Sequence, residues 1–333
     1  MSGGSGSEKK DAHAHAHDHD HDHDHDHAHA HDGHSHGHHH HHHPVTRPEL
    51  ARGAGAGKIL FLDAPSGLAG DMIVATLVDL GVPEVVVANA IAALPISGFH
   101  LHFGTRVRSG VVAGSFDVHV DDVQPARDYA AVKSVLDGST LSPAVRAIAH
   151  ATFARLAEAE AKVHRMPLDE VHFHEVGSID AIVDVVGSAA ALEHLGAELV
   201  VSPLPMGRGF VKAGHGVLPL PAPATVECLR GVPTYDAGLE FEFVTPTGAA
   251  IVGAHAARAS RWPSFAPDAI GWGAGTANLK DRPNLLRAVL GTPSSDPAVL
   301  GGREPVGTHV VVEANVDDAT GELVANAIEA LLA

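Results

Sequence analysis

The chain has 333 residues, 45% apolar and 4% aromatic, with 40 acidic against 22 basic side chains and a formal charge of −18. That length admits two domains with a real hydrophobic core, and the acidic balance argues against nucleic acid or an anionic membrane as a partner. The single cysteine, Cys228, rules out a disulfide framework or a thiolate zinc site within one chain, and no long apolar run or N-terminal apolar segment marks a membrane span or secretion signal, so a cytoplasmic protein is expected.

Residues 1–57 read as a low-complexity tail, in which 18 of the 29 histidines fall between His13 and His43. Such a segment buries no apolar surface and is expected to be disordered without metal. Its neutral imidazoles suit Ni, Zn, Co or Cu, with affinity falling as pH drops towards about 6.5. Residues 38–43 alone would suit an affinity tag, but the strict alternation of His with Ala or Asp from 13 to 31 points to a metal-buffering tail.

The main folded region is expected over 58–290. KILFLDAPSGLAGDMIVATLVDLG reads as a buried strand, a glycine loop and an apolar-periodic helix ended by Gly81. Two alternating stretches between 99 and 120 read as hairpin strands. Ser142 and Pro143 open a helix with a buried stripe of Val145, Ile148, Thr152, Leu156, Ala159 and Val163. A second helix spans about 179–195, Pro-rich turns from 203 to 223 lead to a short helix near 224–229, and FEFVTPTGAAIVGAHAA reads as strand, tight turn and helix. Residues 291–306 read as a linker, and 307–333 as the truncated start of a further unit. The fold class is mixed α/β: strand–glycine loop–helix units with additional antiparallel strands.

EVHFHEVGSIDAIVDVVG, residues 170–187, carries the densest chemistry. On an extended backbone His172 and His174 share one face while Phe173 takes the other. Glu175 follows, and Asp180 and Asp184 stand at i,i+4 on a helix, a donor set for a borderline divalent metal. The plainer alternative makes His174 a core histidine and Asp180 a favourable first-turn charge. Along the same helix Asp180, Asp184, Gly187 and Ala191 form a stripe that suits either a ligand wall or close helix packing. The 63–71 loop, with Gly67, Gly70 and Asp71, precedes a helix N-terminus and suits an anion, a metal or simply a tight turn. ARGAGAGKIL fails as a P-loop, and GWGAGTANLKDRPN misses the dinucleotide fingerprint because its glycines alternate, although Arg282 there suits a phosphate. His215, between glycines, is an exposed candidate ligand.

SGLAGDM, AEAKVHRMPLDEVHFHEVGSIDAIVDVVG, SPLPMGRGFVKAGHGVLPLPAPAT, VTPTGAAI, GAGTANLKDRPNLLR and EANVDDATGE, in that order, resemble the LarC family of nickel insertion proteins over about 58–333. The resemblance implies a nickel chelatase of the lyase class that places Ni(2+) into pyridinium-3,5-bisthiocarboxylic acid mononucleotide. The product is the nickel-pincer nucleotide cofactor of lactate racemase. The family reaction consumes CTP, with Mg or Mn, through a C-terminal domain of which only the first strand and helix are present here. A separate C-terminal fragment and lactate racemase are the implied protein partners, and a homo-oligomer is expected.

The candidate metal ligands are His172, His174, Glu175, Asp180, Asp184, His215 and Asp71. The candidate nucleotide contacts are Ser66, Gly67, Gly70, Thr245, Thr247, Gly248 and Arg282. Forming a nickel–carbon bond releases a ring proton, and Glu175 or His174 is the candidate base. The family's short internal His run near residues 124–128 is absent here, the histidines standing at the N-terminus instead. Two other functions compete: nickel storage or metallochaperoning through the tail without catalysis, and a phosphate-ligand α/β enzyme with an incidental tail.

Overall fold

The structure is a computed structural model that describes residues 48–121, 127–173, 177–214 and 216–294. Strand β1 (Ile59–Asp63) runs through a glycine loop into α1 (Gly70–Leu80), which Gly81 closes at φ 126° with its N–H directed to Leu77 and Val78 carbonyls. Helix α2 (Glu84–Ala92) follows, then the hairpin β2 (Phe99–Arg108) and β3 (Val111–Val120). Ser109 and Gly110 both take positive φ between these strands, as a two-residue primed turn requires. Next come α3 (Tyr129–Asp137), the long α4 (Pro143–His164) and α5 (Ile179–Leu195). Ser142 caps α4 by accepting from the Val145 N–H at 3.3 Å, with Pro143 at its first position.

Then follow β4 (Glu198–Val201), β5 (Leu204–Met206), β6 (Phe210–Ala213), β7 (Gly216–Pro219), α6 (Pro223–Cys228), β8 (Thr234–Asp236), α7 (Pro246–His255), β9 (Arg258–Ala259), β10 (Phe265–Ala274) and β11 (Leu285–Pro293). Seven strands form one mixed sheet in the order β2-β3-β10-β11-β1-β4-β9, while β5 pairs with β8 and β6 with β7 in two small sheets. The fold is therefore mixed α/β, with the helices and antiparallel strands expected.

Period-2 alternation sorts the central strands between two faces. Leu60, Leu62, Ala288 and Leu290 join the main core with α1, α4 and α5, whereas Ile59, Phe61, Val200, Phe265 and Val289 form a separate cluster. Strand β3 meets β10 only at Gly114–Gly273, so beyond that point it parts from its neighbour. That parting opens the space described below.

Several local expectations need correction. Residues 241–244 make no strand; a single bridge, Leu68–Val244, is all the pairing they carry, because they lie across the β1–α1 loop rather than beside a strand. The alternating Gly271 and Gly273 belong to β10 and not to a loop. A Cβ on Gly271 would come within 2.4 Å of the Leu80 nitrogen, and one on Gly273 within 2.2 Å of Thr76 Oγ1, so these glycines let α1 lie directly on the sheet. Residues 48–57, read from sequence as the end of the tail, hydrogen-bond to the body through Leu50 N–H to Gly81 O (2.8 Å), Gly53 N–H to His194 O (2.7 Å) and Gly55 N–H to Leu195 O (2.9 Å). Residues 291–293, read as linker, complete β11, where Gly291 pairs with Ile59.

Candidate functional site

Three helices begin at one cavity of about 590 Å³. The β1–α1 loop reaches it through Gly67, whose φ of 86° turns the chain beneath the Phe243 carbonyl; a Cβ there would stand 1.8 Å from that oxygen. Leu68 then exchanges hydrogen bonds with the chain before α7, its N–H to Phe243 O at 2.9 Å and its carbonyl accepting from Thr245 N–H at 3.2 Å. The first turns of α1 and α7 are thereby laced side by side. Thr245 caps α7 by accepting from Gly248 N–H at 3.2 Å, and Ser178 caps α5 by accepting from Ala181 N–H at 3.3 Å. The unsatisfied N–H groups and positive dipole ends of such helix starts favour anions.

The walls carry the opposite charge. Asp71, Asp117, Asp180, Asp184 and Glu242 line the cavity together with His119, Ser178, Thr245, Thr247 and Thr276. Asp184 is 6% exposed, accepts the Asp71 backbone N–H, and keeps an Oδ1 that meets no donor. Burial, then the charges of Asp71 and Asp180, pushes its carboxyl well above the usual range. Burial likewise raises Asp71 to about 6, against a backbone hydrogen bond from Met72 and the nearby Arg106 charge. Asp180 is raised by loss of water around it and by Asp117. Gly70 explains how Asp184 approaches the start of α1, and with it Asp71, so closely, since a Cβ there would meet Asp184 Oδ2 at 2.6 Å.

Of the sequence candidates, Gly70, Asp71, Asp180, Asp184, Thr245 and Thr247 share this cavity. The others stand elsewhere. Ser66 is buried and donates to the Pro283 carbonyl at 2.6 Å, while Gly248 packs on Leu68. Arg282 pairs with Asp281, donates to Ala237 O at 3.3 Å and lies over the Phe243 ring, so it is engaged in holding loops together. His172 is exposed, its backbone forming an isolated antiparallel β-bridge with that of Asp128, and Phe173 is turned into the core against Tyr129 and Phe153. His174, Glu175 and His215 lie outside the described residues.

Among the described residues no three His, Cys, Asp or Glu side chains are gathered closely enough to hold a metal ion. The helix stripe divides in function: Asp180 and Asp184 face the cavity, while Gly187 packs against Val74 and Val87. Sequence reading missed Asp117, His119, Glu242, Ser178 and Thr276. The alternation of Asp117 with His119 on β3 was a visible signal for two of them.

An acidic cavity ringed by helix starts on a mixed sheet marks an α/β protein with a candidate small-ligand site. Residues 60–333 match a family described as "Nickel insertion protein". A relative from Geobacter metallireducens is 45% identical over 278 residues, covering 83% of this chain and 70% of its own; one from Geobacter sp. strain M21 is 46% identical with the same coverage. A third, from Geotalea daltonii, is 45% identical over 82% of this chain and 69% of its own, and all three bear the description "Putative nickel insertion protein". No solved structure gives a significant match. The chain belongs to the LarC family of nickel insertion proteins, and its role is nickel insertion. Among the described residues no helix is long and apolar enough to cross a membrane.

Proposed function

We propose that the chain inserts nickel into pyridinium-3,5-bisthiocarboxylic acid mononucleotide, as a nickel chelatase that supplies the nickel-pincer cofactor of lactate racemase. The observation that carries this reading is the convergence of three helix starts and five acidic side chains on one cavity. A volume of about 590 Å³ lies in the range of small-ligand sites. The capped starts of α5 and α7 offer N–H groups to the acceptor's phosphate, and Thr245 and Thr247 add hydroxyls. Asp71, Asp180 and Asp184 offer oxygen ligands to the incoming nickel, and because burial raises the proton affinity of all three, nickel competes there with protons. His172, which is exposed and does not line the cavity, and His215 are proposed as secondary candidates for nickel capture.

Glu175 or His174 is proposed to take the proton that leaves the pyridinium ring; the segment holding them runs directly into Gly177 and the cavity-lining Ser178. CTP, with Mg or Mn, is proposed to act through residues 307–333 and a C-terminal partner. The test is turnover of the full chain with nickel(II), the acceptor and CTP, read by product mass. Asp71→Asn and Asp180→Asn should each lower it by roughly 10–100-fold. Wild-type turnover in both would overturn the assignment of the cavity.

The tail's 18 histidines favour a second reading, nickel storage without catalysis. A chain beginning at residue 48 separates the two, because storage disappears with the tail whereas insertion persists at higher free nickel.

A further inference from the structure

The β2–β3 hairpin brings together three histidines that the cavity alone does not explain. On β2, His100 and His102 are exposed and alternate with the partly buried Phe99, Leu101 and Phe103. In the antiparallel register His100 stands opposite His119, and His102 opposite Asp117. Directly opposed Cβ atoms on such strands lie about 4.5–5.5 Å apart, close enough for two imidazoles to meet one ion. The diagonal pair His102 and His119 has ring centroids 6.3 Å apart, and Asp121 Oδ1 lies 3.4 Å from His100 Nε2. Ten consecutive register pairs hold the strands, so the Cβ positions are fixed while the rings remain free to turn. His119 also lines the cavity, beside Asp117.

We infer that His100, His102 and His119, with Asp121 beside them, form a loading site for divalent nickel at the cavity rim. This rests on the nickel-insertion reading, and it adds the route by which the ion enters. Imidazole is a good ligand for nickel, and the carboxylates deeper in the cavity are harder donors. His119, shared by both, lets an ion pass from the hairpin to Asp117 and Asp180 without full release to water. Among the described residues no three such side chains already surround one point. The site therefore closes by rotation of exposed rings, and the cost of ordering them keeps affinity moderate, which suits an ion that must be handed on.

The test uses the full chain, with nickel(II) titrated beyond the capacity of the tail. Each histidine's reactivity towards diethyl pyrocarbonate is then read by peptide mass spectrometry. His150 and His164 on α4 serve as internal controls, since their side chains are 30% and 31% exposed and each lies beside a carboxylate on a helix, away from the hairpin. Several-fold protection of His100, His102 and His119, with the controls unchanged, supports the site. Full-chain His102→Ala should then remove most of the protection at His100 and His119. Unchanged reactivity of the three, equal protection of the controls, or protection that survives His102→Ala overturns it. Turnover measured in parallel keeps the two readings apart: hairpin protection without insertion leaves this site standing and removes the catalytic reading, and insertion without protection does the reverse.

Discussion

Asp184 and Asp71 are two acids placed where burial raises their proton affinity, and this has a consequence for stability. A carboxyl whose folded pKa lies above its unfolded value binds more protons in the folded state, so stability declines as pH rises through that window. For Asp71 the window runs from 3.8 to about 6, and Asp184 acts in the same direction above its ordinary value. Asp71→Asn should flatten the decline across that window, as urea midpoints measured at successive pH values would show. A wild-type slope in the variant would mean that the carboxyl is not desolvated. Gly70→Ala tests the contact that sets the pair's spacing. With a Cβ 2.6 Å from Asp184 Oδ2 and 2.7 Å from its Cβ, the helices must part or Asp184 must move. Overpacking of this kind costs roughly 1–3 kcal/mol, and nickel insertion should fall with it.

At the scale of elements, the caps offer a controlled comparison. Ser142 and Ser178 each accept one backbone N–H at the start of a long helix, α4 and α5. Substituting either by alanine should lower stability by about 1 kcal/mol. Only Ser178 lines the cavity. Thermal unfolding should therefore register both variants alike, while the Michaelis constant for the mononucleotide should rise in Ser178→Ala and stay at the wild-type value in Ser142→Ala. A rise in both would mean that helix stability, and not the position of the cap, governs binding.

For the whole molecule, the boundary between tail and body has a measurable place. Leu50, Gly53 and Gly55 donate to carbonyls of Gly81, His194 and Leu195, and a Cβ on Gly55 would stand 2.7 Å from that of Ala197, so this stretch is packed on the ends of α1 and α5. A chain beginning at residue 48 should keep the melting temperature of the full protein, and one beginning at residue 58 should melt several degrees lower. Equal melting of the two shortened chains would show that these bonds merely replace bonds to water.

Much of this architecture was legible from local rules. Gly81, Ser142–Pro143 and Ser178 mark helix ends by cap chemistry that depends on a few adjacent residues, and the β2–β3 hairpin shows in alternation over ten-residue strands. Nickel chemistry and the family were readable from ordered motifs that span the chain. Local rules failed where the controlling neighbour was distant. Nothing in the sequence shows that α1 lies on the glycines at 271 and 273, and Arg282 looks like a phosphate grip until Asp281, Ala237 and Phe243 are seen to engage it. The composition of the cavity belongs to the same class. Asp71, Asp117, Asp180 and Glu242 come from four separate stretches of chain, and only tertiary packing makes them neighbours. By itself the sequence determined most helix ends, the β2–β3 hairpin and which donor atoms are present. The tertiary structure alone decided which of those donors share one cavity, because burial and Coulomb interactions depend on distance in space, whereas periodicity and capping depend on distance along the chain.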